Sequence, residues 1–111
     1  MSRRADLPLT LKSAVQMLEW GTFPENAPCS HEQIAAWCHR FWHQYIEGDV
    51  PPEIGKILPI LTDVETQWHH YLVNSFTLEQ LRARSAVKDA SMPVEWFESW
   101  LRQAKAVLSA S

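Results

Sequence analysis

LPILTDVETQWHHYLVN, residues 58–74, lies at the middle of the chain and reads as helix. At 100° per residue, Leu61, Val64, Trp68, Tyr71 and Leu72 fall into one sector, which marks a face packed on a core. Glu65 lands beside that sector, with His69 one turn further on and Asp63 on the opposite side. A carboxylate at the edge of an apolar face requires a partner, and an arginine or a neighbouring backbone is the expected one.

The same helix reaches back towards Asp49-Val50-Pro51-Pro52, a stiff connector whose second proline suits a first helical turn, where a missing N–H costs nothing. Pro59 interrupts the pattern, because a proline in a helix interior removes one hydrogen bond and clashes with the preceding turn. It predicts either a kink or a short helix to Leu58 followed by the central one. Asn74 and Ser75 close the segment.

Upstream, Ser30-His31-Glu32-Gln33 forms a capping box, in which the Ser30 hydroxyl accepts from the Gln33 N–H and the Gln33 side chain reaches back. The helix it opens carries Ile34, Trp37, Cys38, Phe41, Trp42 and Tyr45 as a broad apolar arc and ends at Gly48. A first helix is predicted over Leu9–Trp20 from Leu11, Ala14, Val15 and Leu18, with Gly21 as a left-handed stop after it. TFPENAPC has loop composition, and residues 1–8 read as a flexible tail.

Downstream, Thr77-Leu78-Glu79-Gln80 is a second capping box, with Phe76 placed to staple against Leu81. Asp89-Ala90-Ser91 breaks that short helix, and Pro93 takes the first position of the last one. There Val94, Phe97, Leu101, Ala104 and Leu108 make a buried stripe, widened by Trp96 and Trp100, while Glu98 and Arg102 pair at i, i+4 on the outer face. No segment alternates as a strand does, and no internal repeat is visible. The expected architecture is all-α: a single domain over residues 1–111, an irregular bundle of about five helices.

Composition agrees with that reading. At 111 residues, with 46% apolar and 21% charged, the chain has one domain's length and enough apolar surface to fold alone. No apolar run approaches the roughly 20 residues of a membrane span, and no h-region precedes a cleavage site, so a cytoplasmic protein is expected. Cys29 and Cys38 lie just before and two turns inside one helix. Their Cα atoms would be about 12 Å apart, beyond the roughly 7 Å a disulfide spans, which predicts two free thiols.

The net charge of −3 is unevenly distributed. From Trp20 to Leu78, seven acids (Glu25, Glu32, Glu47, Asp49, Glu53, Asp63, Glu65) face only Arg40 and Lys56, a net −5, and the remainder carries +2. Such a middle repels nucleic acid and attracts cationic surfaces. A plain solubilising surface would carry the same charges.

His39 and His43 share a helix face, and His69, His70 and Glu65 lie elsewhere, but no Glu-x-x-His pair marks a metal site, so no metal or other cofactor is expected. Glu65 with His69 at i+4 could serve as an acid–base pair, yet no phosphate loop, nucleophile elbow or Cys-His signature accompanies them, and no enzyme is expected.

Residues 77–103 have a helix, turn, helix outline with Arg82, Arg84 and Lys88 as its cations. The second helix opens with Glu95 and Glu98 among buried-type side chains, a poor surface for phosphates, so DNA binding is disfavoured.

Protein binding remains. Six tryptophans (Trp20, Trp37, Trp42, Trp68, Trp96, Trp100) are more than a domain this small usually carries; most are expected in the core, and because tryptophan is enriched at interfaces the excess points to one or two facing a partner. Clustered carboxylates imitate phosphates and steer association, the construction used by intracellular neutralisers of basic toxins or nucleases. The expected partner-binding residues are Trp42 as anchor with Glu47, Asp49, Glu53, Asp63 and Glu65 around it. An adaptor or regulatory subunit acting as a homodimer would carry similar features.

Overall fold

The structure, a computed structural model, describes residues 7–23, 25, 27, 29–83 and 90–110; five helices and no strand lie among them. In chain order they are α1 (Leu11–Gly21), α2 (His31–Ile46), α3 (Pro52–Ser75), α4 (Leu78–Ala83) and α5 (Val94–Ala110). The all-α bundle read from the sequence is the fold observed. No helix among the described residues is long and apolar enough to cross a membrane.

The core lies where α2 packs along α3, α1 along α5, and α3 against α5. Ile54, Ile57, Ile60, Leu61, Val64 and Trp68 are the buried residues of α3, and they meet Ile34, Trp37, Cys38 and Phe41 of α2. From the other side Ala14, Met17 and Leu18 of α1 and Phe97, Trp100 and Ala104 of α5 close the cluster. α4 buries no residue fully. It holds by its cap, with Thr77 Oγ1 accepting from the Gln80 N–H at 3.2 Å and Gln80 Oε1 accepting from the Thr77 N–H at 2.8 Å.

Both capping boxes form, and the first shows the same pair of bonds between Ser30 and Gln33. Elsewhere the boundaries shift for identifiable reasons. α1 begins two residues later than expected, because Thr10 is extended and its hydroxyl accepts from the Ser13 N–H, making it the N-cap. α5 begins at Val94, with the Pro93 carbonyl taking the Trp96 N–H at 3.1 Å.

Pro59 does not split α3, which continues through it for 24 residues. The carbonyl that loses its donor is that of Gly55. Both residues are exposed and line an open groove, so water can satisfy that carbonyl.

Gly21 is not a left-handed stop. It is the last residue of α1, and the next residue, Thr22, lies in the right-handed region with its N–H bonded to Glu19 O at 3.1 Å. Gly21 is needed for space: a Cβ built on it would overlap the Cγ, Cδ1 and Cε1 atoms of Phe97. The glycine lets α1 and α5 approach at that point.

Residues 1–6 of the expected tail and Asp89 of the expected break lie outside the described residues, while Ala90 and Ser91 of that break are non-helical. Leu7 is half-buried, and its carbonyl accepts the Trp37 indole N–H at 3.0 Å; the Leu9 carbonyl accepts the Tyr45 hydroxyl at 3.1 Å. The segment before α1 is thus tied to α2. In α5, Trp96 and Leu108 of the expected buried set stand 37% and 40% exposed. Glu98 and Arg102 line one shallow groove without an ion pair, in keeping with the small stabilisation such an exposed pair offers.

Candidate functional site

Three places gather the residues singled out by charge and aromaticity. The first is the corner between α2 and α3. α2 stops at Ile46 and α3 starts at Pro52, so the turn projects Glu47, Gly48, Asp49 and Val50 to solvent. Ile46 and Val50, two apolar side chains that a bundle would ordinarily cover, are 49% and 38% exposed there. Asp49 does not cap α3, whose N-cap position holds Pro51 without a side-chain bond. Among the described residues no hydrogen bond or ion pair restrains the Glu47, Asp49 or Glu53 carboxylates. Together they present a negative rim around a small apolar patch.

The second place is the outer ridge of α3 around Asp63. On the α2 side, Asp63 shares a groove with Trp42, Gly55, Leu58, Pro59, Thr62 and Thr66. Trp42 is half-buried there, its ring stacked on that of His39 at 6.3 Å and 29°. On the α5 side, Asp63 lines a second groove with Gln67, Trp96, Ser99, Trp100 and Gln103. Its Oδ2 accepts the Trp100 indole N–H at 2.8 Å. The Trp100 ring is 4% exposed, so that bond satisfies a donor that burial would otherwise leave unpaired. Two tryptophan-lined hollows therefore meet at one carboxylate.

The third place is the groove of about 670 Å³ between α2, α3 and α4, lined in part by Ala35, Trp68, Leu72, Val73 and Leu81. Glu65 sits on its wall, and among the described residues its charged partners are histidines. Glu65 Oε2 lies 2.5 Å from His39 Nδ1 across the helices and 3.9 Å from His69 Nε2 one turn along α3. Both imidazoles are more than half exposed. Among the described residues no group of three His, Cys, Asp or Glu side chains is placed to hold a metal ion.

Of the six side chains expected to bind a partner, the structure brings Trp42 and Asp63 to one groove and Glu47, Asp49 and Glu53 to one corner. Glu53 and Asp63 are ten residues apart on α3, about 15 Å along its axis, so one partner of ordinary interface size can cover both. Glu65 faces the other groove. Sequence reading missed the contribution of Trp96, Trp100 and Gln103 to the Asp63 ridge. No local signal could supply it, since Asp63 and Trp100 are 37 residues apart.

The thiols are chemically quiet. Cys29 and Cys38 are both free and buried. Burial pushes the Cys29 thiol up to about 11, and burial together with the nearby Glu65 charge raises that of Cys38.

Compared with models of known families, with curated proteins and with solved structures, the chain gives no match.

Proposed function

We propose that this protein is a cytoplasmic protein-binding domain, not an enzyme, that engages a basic partner, and that the partner is a toxin or nuclease which it neutralises. The observation that carries the reading is the α2–α3 corner. Exposed Ile46 and Val50 there are interleaved with the unrestrained carboxylates of Glu47, Asp49 and Glu53. Charges in that setting raise the rate of encounter with a cationic surface, and the apolar pair supplies area to desolvate once contact is made. Carboxylates spaced along a rim also occupy a nuclease's phosphate-binding cations, which is how a protein of this kind inhibits without chemistry of its own.

The test is affinity capture from the producing cell's lysate across a salt series, with the native chain and with a chain carrying Glu47→Lys, Asp49→Lys and Glu53→Lys. A basic protein that is held at low salt, released by salt and lost by the reversed chain supports the reading. Capture indifferent to both salt and reversal would overturn it.

The second reading is a homo-oligomeric adaptor. It rests on Val73 and Leu78, which stand 69% and 63% exposed where α3 ends and α4 begins. Sedimentation of the native chain at micromolar concentration, beside Val73→Lys, distinguishes a dimer joined there from a monomer.

A further inference from the structure

We infer that the hollow between α3 and α5, formed by Asp63, Gln67, Trp96 and Gln103, is a receptor for an arginine side chain of the basic partner. The inference rests on the proposed function for the partner's charge but on a different set of residues. Trp100 donates its indole N–H to Asp63 Oδ2 at 2.8 Å, which fixes the carboxylate's orientation. Among the described residues no other hydrogen bond or ion pair reaches that carboxylate, so its second oxygen is available.

Gln103 directs its amide nitrogen to Ser99 Oγ at 3.3 Å, which leaves its carbonyl oxygen as an acceptor. Gln67, across the hollow, contributes a further amide. The hollow therefore holds one oriented carboxylate with two side-chain amides beside it.

Trp96 completes it. The indole is 37% exposed, and its plane is set by edge-on packing against Tyr71 (6.5 Å, 88°) and Trp100 (6.4 Å, 69°). A guanidinium matches this arrangement: it has five N–H donors and no acceptor, it forks onto a carboxylate, and its flat face stacks on an indole. Lysine fits less well, because its ammonium is a compact, strongly hydrated charge that gains little from a planar ring. Anions are excluded by the Asp63 charge.

The experiment is an NMR titration of the full chain, following the indole N–H signals of Trp96 and Trp100. The probes are a capped Gly-Arg-Gly-Arg-Gly peptide, its lysine counterpart, and a neutral glucose oligomer. The arginine peptide is expected to shift both signals and to bind several-fold more tightly than the lysine peptide.

Asp63→Asn keeps an acceptor for the Trp100 indole and so keeps the fold, yet it should weaken the arginine peptide about tenfold. Trp96→Leu, at a half-exposed position, should weaken it by roughly fivefold. Equal binding of the two peptides, an unmoved pair of indole signals, or full affinity in Asp63→Asn would each overturn the proposal. A shift with the glucose oligomer alone would overturn it in favour of a carbohydrate shelf. Failure here leaves the corner's salt-dependent capture unaffected, so the two readings fall separately.

Discussion

His31 accepts the backbone N–H of Met92 at its Nδ1, 2.8 Å away, although the two residues are 61 positions apart. With Nδ1 an acceptor, the proton of the neutral ring is on Nε2, which donates to the Gly21 carbonyl at 3.0 Å. One buried imidazole thereby joins the end of α1, the start of α2 and the approach to α5, with the Phe97 ring against it at 4.3 Å. Burial lowers its pKa from the ordinary 6.5, opposed by the bond to Gly21.

The linkage follows directly. A folded-state pKa below the unfolded one gives stability that is fully present above about 6.5 and is lost as pH falls below it, because only the unfolded chain takes up the proton freely. Protonation would also destroy the Nδ1 acceptor. The melting temperature should therefore drop between pH 7 and pH 5. In His31→Gln the overall stability should be lower and that part of the acid slope absent. An unchanged slope in the variant would assign the acid sensitivity to other groups.

Gly21→Ala tests the close approach of α1 and α5. In an ordinary helix the change stabilises by about 1 kcal/mol. Here the new methyl would enter the Phe97 ring, and the loss should be about 2 kcal/mol or more. Denaturant unfolding gives the sign, and a gain in stability would mean that Phe97 yields at little cost.

The two thiols should be silent in the folded protein and react fully after unfolding without reductant. Burial and raised pKa values remove both access and thiolate, since Cys29 is pushed up to about 11. A thiol reagent at pH 8 should count none before denaturant and two after it. Rapid reaction of one thiol in the native state would place it at the surface.

Local features carried most of what the sequence disclosed about the fold. The capping boxes at Ser30 and Thr77, Pro52 in a first turn and the period-3.6 stripes all act within a few residues, so each is legible where it stands. What could not be read acts between distant segments. Gly21 resembles a helix stop until Phe97 is placed beside it, and His31 is an ordinary second residue of a capping box until Met92 reaches it.

For the candidate site, the sequence supplied the carboxylates and Trp42. It could not supply the tryptophan–carboxylate bond between α5 and α3, or the pairing of Glu65 with His39 from α2. At Pro59 the sequence left a kink or a split open; α3 runs through it, and the exposure of Gly55 lets water take the carbonyl that loses its donor, which keeps the missing hydrogen bond inexpensive.

The most direct test of the central claim is the association rate constant of the captured basic protein, measured by stopped-flow tryptophan fluorescence as ionic strength rises from 10 to 150 mM. If the α2–α3 corner steers the encounter, the rate should fall by about tenfold or more over that range, while dissociation changes little. The chain with Glu47→Lys, Asp49→Lys and Glu53→Lys should associate slowly at low salt and lose most of the dependence. An association rate that is flat with salt in the native chain, or equally steep in the reversed chain, would contradict the account.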